Sequence, residues 1–261
     1  MSGTYEFIIY EKADAVAWIT LNRPDAMNAQ SDGLRMELVD ALEQASDDEE
    51  VFVVVITGSG DKAFSAGADV AQYVTRVPSY VVAQKYILRP FELIRNMTKP
   101  VIASVNGLAL GAGCELMMSC DLIIAADDAK IGQTEIRVGL IPGGGGTQVL
   151  PRLVGEKKAK ELIFTGRMIT AQEAMELRII NQVVPHEQLR EATENLVKEL
   201  LRNSPAIIGL AKIAINRSLE TPLQVGMSYE RDLFALAFSY EDQKEGAKAF
   251  LEKRKPSYKG K

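Results

Sequence analysis

The sequence predicts an α/β core followed by a helical C-terminal region, and three observations carry that expectation. Short apolar runs alternate with helical periodicity from residue 7 to about 153; beyond Gly155 the pattern is nearly all helical; and no Ser/Gly-rich linker separates the two regions. With 47% hydrophobic and 25% charged residues over 261 positions, the composition is that of an ordinary globular chain, large enough to bury a sizeable core.

Taken in order, residues 7–10 and 16–21 are β-rich runs joined by Glu-Lys-Ala-Asp-Ala, which predicts a hairpin. A loop through Asn28 follows, where Pro24 cannot donate to a ladder. Ser31 caps a helix whose Leu34, Leu38, Ala41, Leu42 and Ala45 recur at helical spacing, and the acidic run 47–50 ends it. Residues 51–56 form a continuous apolar run, as expected of a strand buried on both faces. Gly58-x-Gly60-x-x-Ala63 then matches a relaxed dinucleotide fingerprint. The helix that should open there is displaced by Phe64-Ser-Ala-Gly-Ala-Asp69, and no second strand ends in an acidic residue about 20 positions on, so a Rossmann site is not expected. A loop around Ala66 to Asp69 that presents backbone N–H groups to a ligand fits better. Residues 70–97 read as helix interrupted by Pro78 and Pro90, with Tyr73, Tyr80 and Tyr86 either lining a pocket or packing in the ordinary way.

Residues 100–105 begin the stretch on which the chemistry centres. Asn106-Gly-Leu-Ala-Leu-Gly-Ala-Gly-Cys-Glu115 reads as an apolar strand, a Gly-rich bend and a short helix with Glu115 in its first turn. Residues 121–126 predict a buried strand, residues 131–135 a strand and turn ending at Glu135, and Ile141-Pro-Gly-Gly-Gly-Gly-Thr147 a loop. Helices are expected over 159–164, 170–177, 187–201, 205–219, 223–238 and 242–253, with Asn203-Ser-Pro205 and Glu220-Thr-Pro222 as stop-and-start signals.

Several function classes are disfavoured. The longest apolar runs fall far short of the roughly 18 residues of a membrane span. The N-terminus lacks a basic region followed by an apolar run, so no signal peptide and a cytoplasmic location are expected. Cys114 and Cys120 read as buried free thiols. A single histidine, His186, leaves no multi-histidine metal site, and no metal is expected. The net charge of −5 argues against nucleic acid as the main partner. From Lys244 to Lys261, however, seven basic residues face two acidic ones, which suits either a bound small anion or a solvated basic helix end.

A Gly-rich bend that opens a helix leaves N–H groups without intrahelical acceptors, and such a place binds an oxyanion. Ala112 and Gly113 lie there, and the Ala66–Asp69 loop offers a second donor. Glu115 shares that first turn, where the helix dipole favours its ionised form. Glu135 stands beside Ile136, in surroundings that raise a carboxyl pKa. Two carboxyls pushed in different directions suit general acid and base work; the alternative is a pair of structural ion pairs with Arg137 or Arg152.

These segments resemble the enoyl-CoA hydratase/isomerase (crotonase) family over essentially the whole chain. The motifs are Leu21-Asn-Arg-Pro-Asp-Ala-Met-Asn-Ala29, Ala63-Phe-Ser-Ala-Gly-Ala-Asp69, Val105-Asn-Gly-Leu-Ala-Leu-Gly-Ala-Gly-Cys-Glu-Leu116, Cys120-Asp121, Gly132-Gln-Thr-Glu135, Gly139-Leu-Ile-Pro-Gly-Gly-Gly-Gly-Thr-Gln148 and Phe250-Leu-Glu-Lys-Arg-Lys255. The resemblance implies a crotonase-like spiral of ββα units over residues 1–200, a helical C-terminal trimerisation region over 201–261, and a homo-oligomer, either a trimer or a dimer of trimers. It implies an acyl-CoA substrate and no separate cofactor, coenzyme A being part of the substrate. The amides of Ala68 and Ala112 would form the oxyanion hole for the thioester carbonyl. Glu115 and Glu135 would hold one water and add it across the C2–C3 double bond, with the backbone at Gly143 helping to position it. Asp25, Ala26 and Met27 would contact coenzyme A beside Ala66 and Asp69, and Phe250 and Lys253 would close over its adenine and phosphate end from a neighbouring subunit.

Two positions depart from the family pattern. Ala112 stands where glycine is frequent, which preserves the donor, and Thr134 stands where proline is frequent, which leaves the Glu135 loop less fixed. The presence of both carboxylates favours a hydratase over a double-bond isomerase, which often keeps only the counterpart of Glu135. A non-catalytic, RNA-binding relative is the reading from another class. Acyl-chain length depends on how residues 70–97 cover the pocket and is not legible in the sequence.

Overall fold

The computed structural model describes residues 5–84 and 87–261, so Tyr86 lies outside the described residues. Strands β1 (Ile8–Ala13) and β2 (Val16–Leu21) form the expected antiparallel hairpin. β1 runs on through Glu11–Ala13 because its outer half is exposed and needs no apolar side chains. The reversal is confined to Asp14 and Ala15, and Asp14 adopts φ 52, a left-handed conformation that Asp tolerates better than most residues. Helix α1 (Asp32–Asp47) is capped by Ser31, whose hydroxyl accepts from the Leu34 N–H at 3.2 Å, and it buries Leu34, Leu38, Ala41, Leu42 and Ala45.

β3 (Val53–Gly58) pairs in parallel with β2 on one side and β5 (Val101–Val105) on the other, which is why its sequence does not alternate. Each large-sheet strand in this part of the chain is followed by a short strand of a second sheet. β4 (Ala63–Ser65) follows β3, β6 (Leu108–Leu110) follows β5, and β8 (Lys130–Gly132) follows β7 (Leu122–Ala126). A strand, not a helix, therefore follows the Gly58-x-Gly60 loop, and the dinucleotide fingerprint has no structural counterpart. With β9 (Ile169–Thr170) and β10 (Gln182–Val184), the large sheet is ordered β1-β2-β3-β5-β7-β10 and the small one β4-β6-β8-β9. Successive turns add one strand to each sheet, the spiral of ββα units expected, and α4 (Ala112–Ser119) is the helix of the turn that begins with β5.

One face of the large sheet packs against α1, the small sheet and α4 in a cluster that includes Ile19, Leu38, Ile56, Phe64, Leu116 and Met117. The other face, through Trp18, Val53, Val55 and Ile102, meets Val197 of α8 (Leu189–Leu200).

One expectation needs correction. Pro78 and Pro90 do not interrupt one helix; each sits in the first turn of its own, α2 (Pro78–Ala83) and α3 (Arg89–Asn96), where the missing N–H costs nothing. The chain beyond Gly155 is nearly all helical, as expected; the exceptions are β9, which joins the small sheet, and β10, at the edge of the large one. Both are too short to leave a periodic signal. The remaining helices are α5 (Gly146–Val154), α6 (Glu156–Thr165), α7 (Ala171–Glu176), α9 (Pro205–Ser218), α10 (Leu223–Ala237) and α11 (Glu241–Leu251). α9 is tied to the core by Lys212, whose ammonium donates to the carbonyls of Ile94 and Lys99 and pairs with Asp121 at 2.7 Å. α10 buries none of its residues.

Candidate active site

The site forms where β4, β6 and β8 end. After β6, Gly111 turns at φ 51, its N–H donates to the Gly132 carbonyl at 2.8 Å, and α4 begins at Ala112. As the first helical residue, Ala112 has an N–H with no intrahelical acceptor. The loop after β4 is pressed against this helix start. A side chain at Gly67 (φ +106) would begin 2.8 Å from the Leu110 carbonyl oxygen and 3.6 Å from the Ala112 nitrogen, and one at Gly113 would begin 2.1 Å from the Ser65 carbonyl oxygen. Glycine at both positions is what lets the loops meet.

Ala68 lies in an isolated parallel bridge to Gln30. The Gln30 N–H donates to the Gly67 carbonyl at 2.7 Å, and the Asp69 N–H donates to the Gln30 carbonyl at 3.2 Å. In that arrangement Ala68 turns its own N–H away from Gln30, and the amide finds no acceptor among the described residues. The chain thus has two unsatisfied amide donors on adjoining loops, the arrangement an oxyanion requires.

Glu115 and Glu135 border the same space. Glu115, only 3% exposed, accepts at Oε1 from the Gly144 N–H at 2.7 Å and the Gly146 N–H at 2.8 Å. Burial pushes its pKa up, and the amides of Gly146 and Gly144, then Arg35 and Gly143, pull it back. Glu135 opens the short 3-10 helix Glu135–Val138, and its Oε1 lies 3.2 Å from where a side chain at Gly111 would begin. Neither carboxyl oxygen of Glu135 has a hydrogen-bond partner among the described residues. Burial raises its pKa to about 7; its own backbone amide opposes the rise and the charge of Glu115 adds to it. The expectation that the helix dipole would hold Glu115 ionised while Glu135 moved the other way is therefore corrected. Desolvation raises both, and the difference between them is the set of amides that only Glu115 receives. Neither carboxylate joins an ion pair with Arg137 or Arg152; Arg152 donates instead to the Gln148 carbonyl at 2.7 Å.

Other expected site residues divide into two groups. Asp25 and Ala26 lie in the 3-10 turn Pro24–Ala26, and Met27 follows at φ 50 with its side chain exposed. This loop borders the Ala66–Asp69 loop directly, since the Met27 carbonyl accepts from the Ala66 N–H at 2.9 Å, and Asp69 is paired with Arg23 at 3.1 Å. Phe250 and Lys253, in contrast, lie at the end of α11, which packs on α9; Phe250 is 84% exposed. Tyr73 and Tyr80 both lie against the Arg76 guanidinium, which pairs with Asp32; the Tyr80 hydroxyl donates to Asp32 at 2.8 Å, so Tyr80 reaches the start of α1 directly and Tyr73 only through Arg76. His186 sits 3.0 Å from Asp128, apart from the glutamates. Cys114 and Cys120 are buried free thiols. Among the described residues no cluster of His, Cys, Asp and Glu is placed to hold a metal, and no helix is long and apolar enough to cross a membrane.

Sequence reasoning passed over Gln30 and Asn28, both buried. Asn28 donates to the carbonyls of Ser59 and Ala63 at 3.0 and 2.7 Å, which fixes the loop entering β4. The available signal was a pair of uncharged amides just ahead of a helix cap, a position where an apolar residue often staples the helix.

Comparisons with known proteins agree with this architecture. The family model described as enoyl-CoA hydratase/isomerase matches residues 11–261. The chain is 45% identical over 256 residues to a crotonyl-CoA hydratase of Syntrophomonas wolfei, covering 97% of this chain and 98% of the relative. It is 40% identical over 255 residues to a 2,3-dehydroadipyl-CoA hydratase of Escherichia coli, covering 97% and 98%. The crystal structure of an enoyl-CoA hydratase from Bacillus anthracis superposes with a TM-score of 0.94 at 40% identity, over 98% of this chain and 100% of that one. On a match that spans nearly its whole length, the chain belongs to the enoyl-CoA hydratase/isomerase family.

Proposed function

We propose that the protein reversibly adds water across the C2–C3 double bond of a 2-enoyl-CoA, with Glu115 and Glu135 as the catalytic pair. The observation that carries this reading is the placement of two differently solvated carboxyls beside two amide donors that lack acceptors. The thioester oxygen accepts from the N–H groups of Ala68 and Ala112, each preorganised donor contributing roughly 3 kcal/mol to the developing enolate. Drawing electrons toward that oxygen leaves C3 electrophilic.

The ionisation states follow from the surroundings. Glu115 keeps amide donors on its anion, which suits a base. Glu135, with a pKa of about 7 and no side-chain hydrogen-bond partner among the described residues, holds a proton it can give at neutral pH. A water between them loses a proton to Glu115 as its oxygen bonds to C3, and the π electrons move onto the thioester oxygen. The enolate then returns those electrons to C2, which takes the proton of Glu135. One water has been added, and exchange of a proton between the carboxyls restores the starting states. Dehydration of a 3-hydroxyacyl-CoA is the same path reversed.

Around this centre, Asp25, Ala26, Met27, Ala66, Asp69 and the Gly143 backbone would line the path of coenzyme A and water. Phe250 and Lys253 would serve a neighbouring subunit's site in a trimer or dimer of trimers. Support for assembly comes from α10, which buries none of its residues and leaves Leu223, Met227 and Phe234 largely exposed. Relatives at 45% and 40% identity carry crotonyl and 2,3-dehydroadipyl in their names, so the acyl end is where specificity would vary.

The deciding experiment follows the conjugated thioester absorbance of crotonyl-CoA and the appearance of 3-hydroxybutyryl-CoA. Hydration by the wild type, and its loss in Glu135→Gln, is the expected result. Double-bond migration in a 3-enoyl-CoA without hydration of crotonyl-CoA would replace the reading with an isomerase.

A further inference from the structure

We infer that Gln30 sets the spacing between the two amide donors, as a positioning residue for the thioester carbonyl; the inference rests on the oxyanion-hole reading above. Among the described residues, Gln30 is the one that hydrogen-bonds to both loops. Its backbone holds the Ala68 loop from either side, by the N–H to the Gly67 carbonyl at 2.7 Å and the carbonyl from the Asp69 N–H at 3.2 Å. Its side-chain Nε2 donates to the Ala112 carbonyl at 3.1 Å, with a longer approach of 3.4 Å to the Ser65 hydroxyl. The residue is 3% exposed, so water does not compete for these bonds.

The geometry makes the side chain matter to the hole as well as to packing. Gln30 immediately precedes Ser31, the cap of α1, so its backbone is anchored to a long buried helix. From that anchor, its side chain fixes the peptide group on the far side of Ala112, and its main chain fixes the peptides flanking Ala68. Relative motion of the two loops would change the distance from each N–H to a shared oxygen, and such donors act only when held near 2.7–3.1 Å from it. A side chain of similar length without the amide would fill the space and leave the loops joined only through the β4–β6 pairing that precedes them and by van der Waals contact. Gln30 does not touch the reacting atoms.

The test compares wild type, Gln30→Met and Gln30→Asn, the last keeping an amide one methylene too short to reach Ala112. Each is titrated with a chromophoric cinnamoyl-CoA whose absorption maximum moves to longer wavelength when the thioester carbonyl is polarised, and each is assayed with crotonyl-CoA. In both variants the red shift is expected to shrink and kcat to fall about 10-fold or more, a fraction of the 10²–10³ lost with a whole donor, while KM stays within about twofold. If one variant does not fold, the other carries the comparison. An unchanged red shift and kcat in a folded variant, even one with a lower Tm, would overturn the inference and leave Gln30 a packing residue. A wild type that shifts the probe but does not hydrate crotonyl-CoA would refute the hydratase reading alone, since dependence of the shift on Gln30 is measured without turnover.

Discussion

The charge of Glu115 acts on Glu135, adding to the desolvation that lifts the Glu135 pKa from 4.5 to about 7. The folded protein therefore holds a proton on Glu135 that the unfolded chain releases near 4.5. Between those values the native state binds more protons, so this group's contribution to stability is fully present below about pH 4.5. It is lost as pH rises through about 7. Glu135→Gln removes the titration. Thermal melts should show the variant gaining on the wild type between pH 5 and pH 8, and a difference that does not change with pH would contradict the assignment.

The same substitution tests the chemistry. Loss of a positioned acid is expected to lower turnover by about 10²- to 10⁴-fold with binding of a CoA ester retained. In the wild type, kcat/KM for hydration should decline above about pH 7, where Glu135 has lost the proton it must give. A profile that is flat from pH 6 to 9 would place the proton donor elsewhere.

Glu115 has a structural duty that Glu135 lacks, because the Gly144 and Gly146 amides end on its Oε1. Glu115→Gln can keep an oxygen there, so turnover should fall by about the 10²-fold or more of a lost base while Tm changes little. Glu115→Ala leaves those amides without that acceptor, at a cost of about 1–3 kcal/mol for each group left unpaired. The alanine variant should therefore lose both activity and Tm, and equal melting of the two variants would show that the glycine loop is held by something else.

How much of this was legible beforehand depended on length of pattern and on chemistry. The apolar run at 51–56 announced a strand, which the structure places two residues later at Val53–Gly58, and the helices from α8 to α11 announced themselves through helical periodicity. β9 and β10, of two and three residues, could not. Both glutamates stood out because each follows an apolar strand and a turn. What the sequence could not weigh was desolvation against the helix dipole at Glu115, since that balance depends on how deeply the first turn of α4 is buried. Nor could it single out Gln30, whose role exists only once residues 65–69 and 110–113 are brought together across the fold. The prolines were misread for a physical reason: Pro at an interior position breaks a helix, but at the first turn it starts one.

The close approach of those loops makes Gly113 the most sensitive position at the site after the glutamates. An added methyl would begin 2.1 Å from the backbone oxygen of Ser65, which cannot rotate away as a side chain would. Gly113→Ala should push β4 from α4, moving Ala68 relative to Ala112, and lower both Tm and kcat. Gly143→Ala has nothing within 4 Å of the added atom and should leave Tm unchanged. Equal stability of the two variants, measured by thermal melting, would mean that the loops have more slack than their packing allows.

The basic C-terminal tail is partly neutralised from within, which narrows how it can be tested. Arg254 pairs with Glu245 and Glu252, and Asp242 accepts from the Lys259 and Gly260 N–H groups at 2.8 and 2.9 Å. Truncation after Ala249 would remove these ties and raise KM partly by loosening α11, so a point change is the cleaner probe. Phe250, 84% exposed, can be replaced by alanine with little effect on the Tm of the isolated chain. If it closes over the coenzyme end in a neighbouring subunit, Phe250→Ala should raise KM for CoA esters more than for the matching pantetheine thioesters, which lack that end. The excess should appear only at protein concentrations where sedimentation shows an oligomer. Equal effects on the two substrate series would mean that Phe250 does not reach the nucleotide.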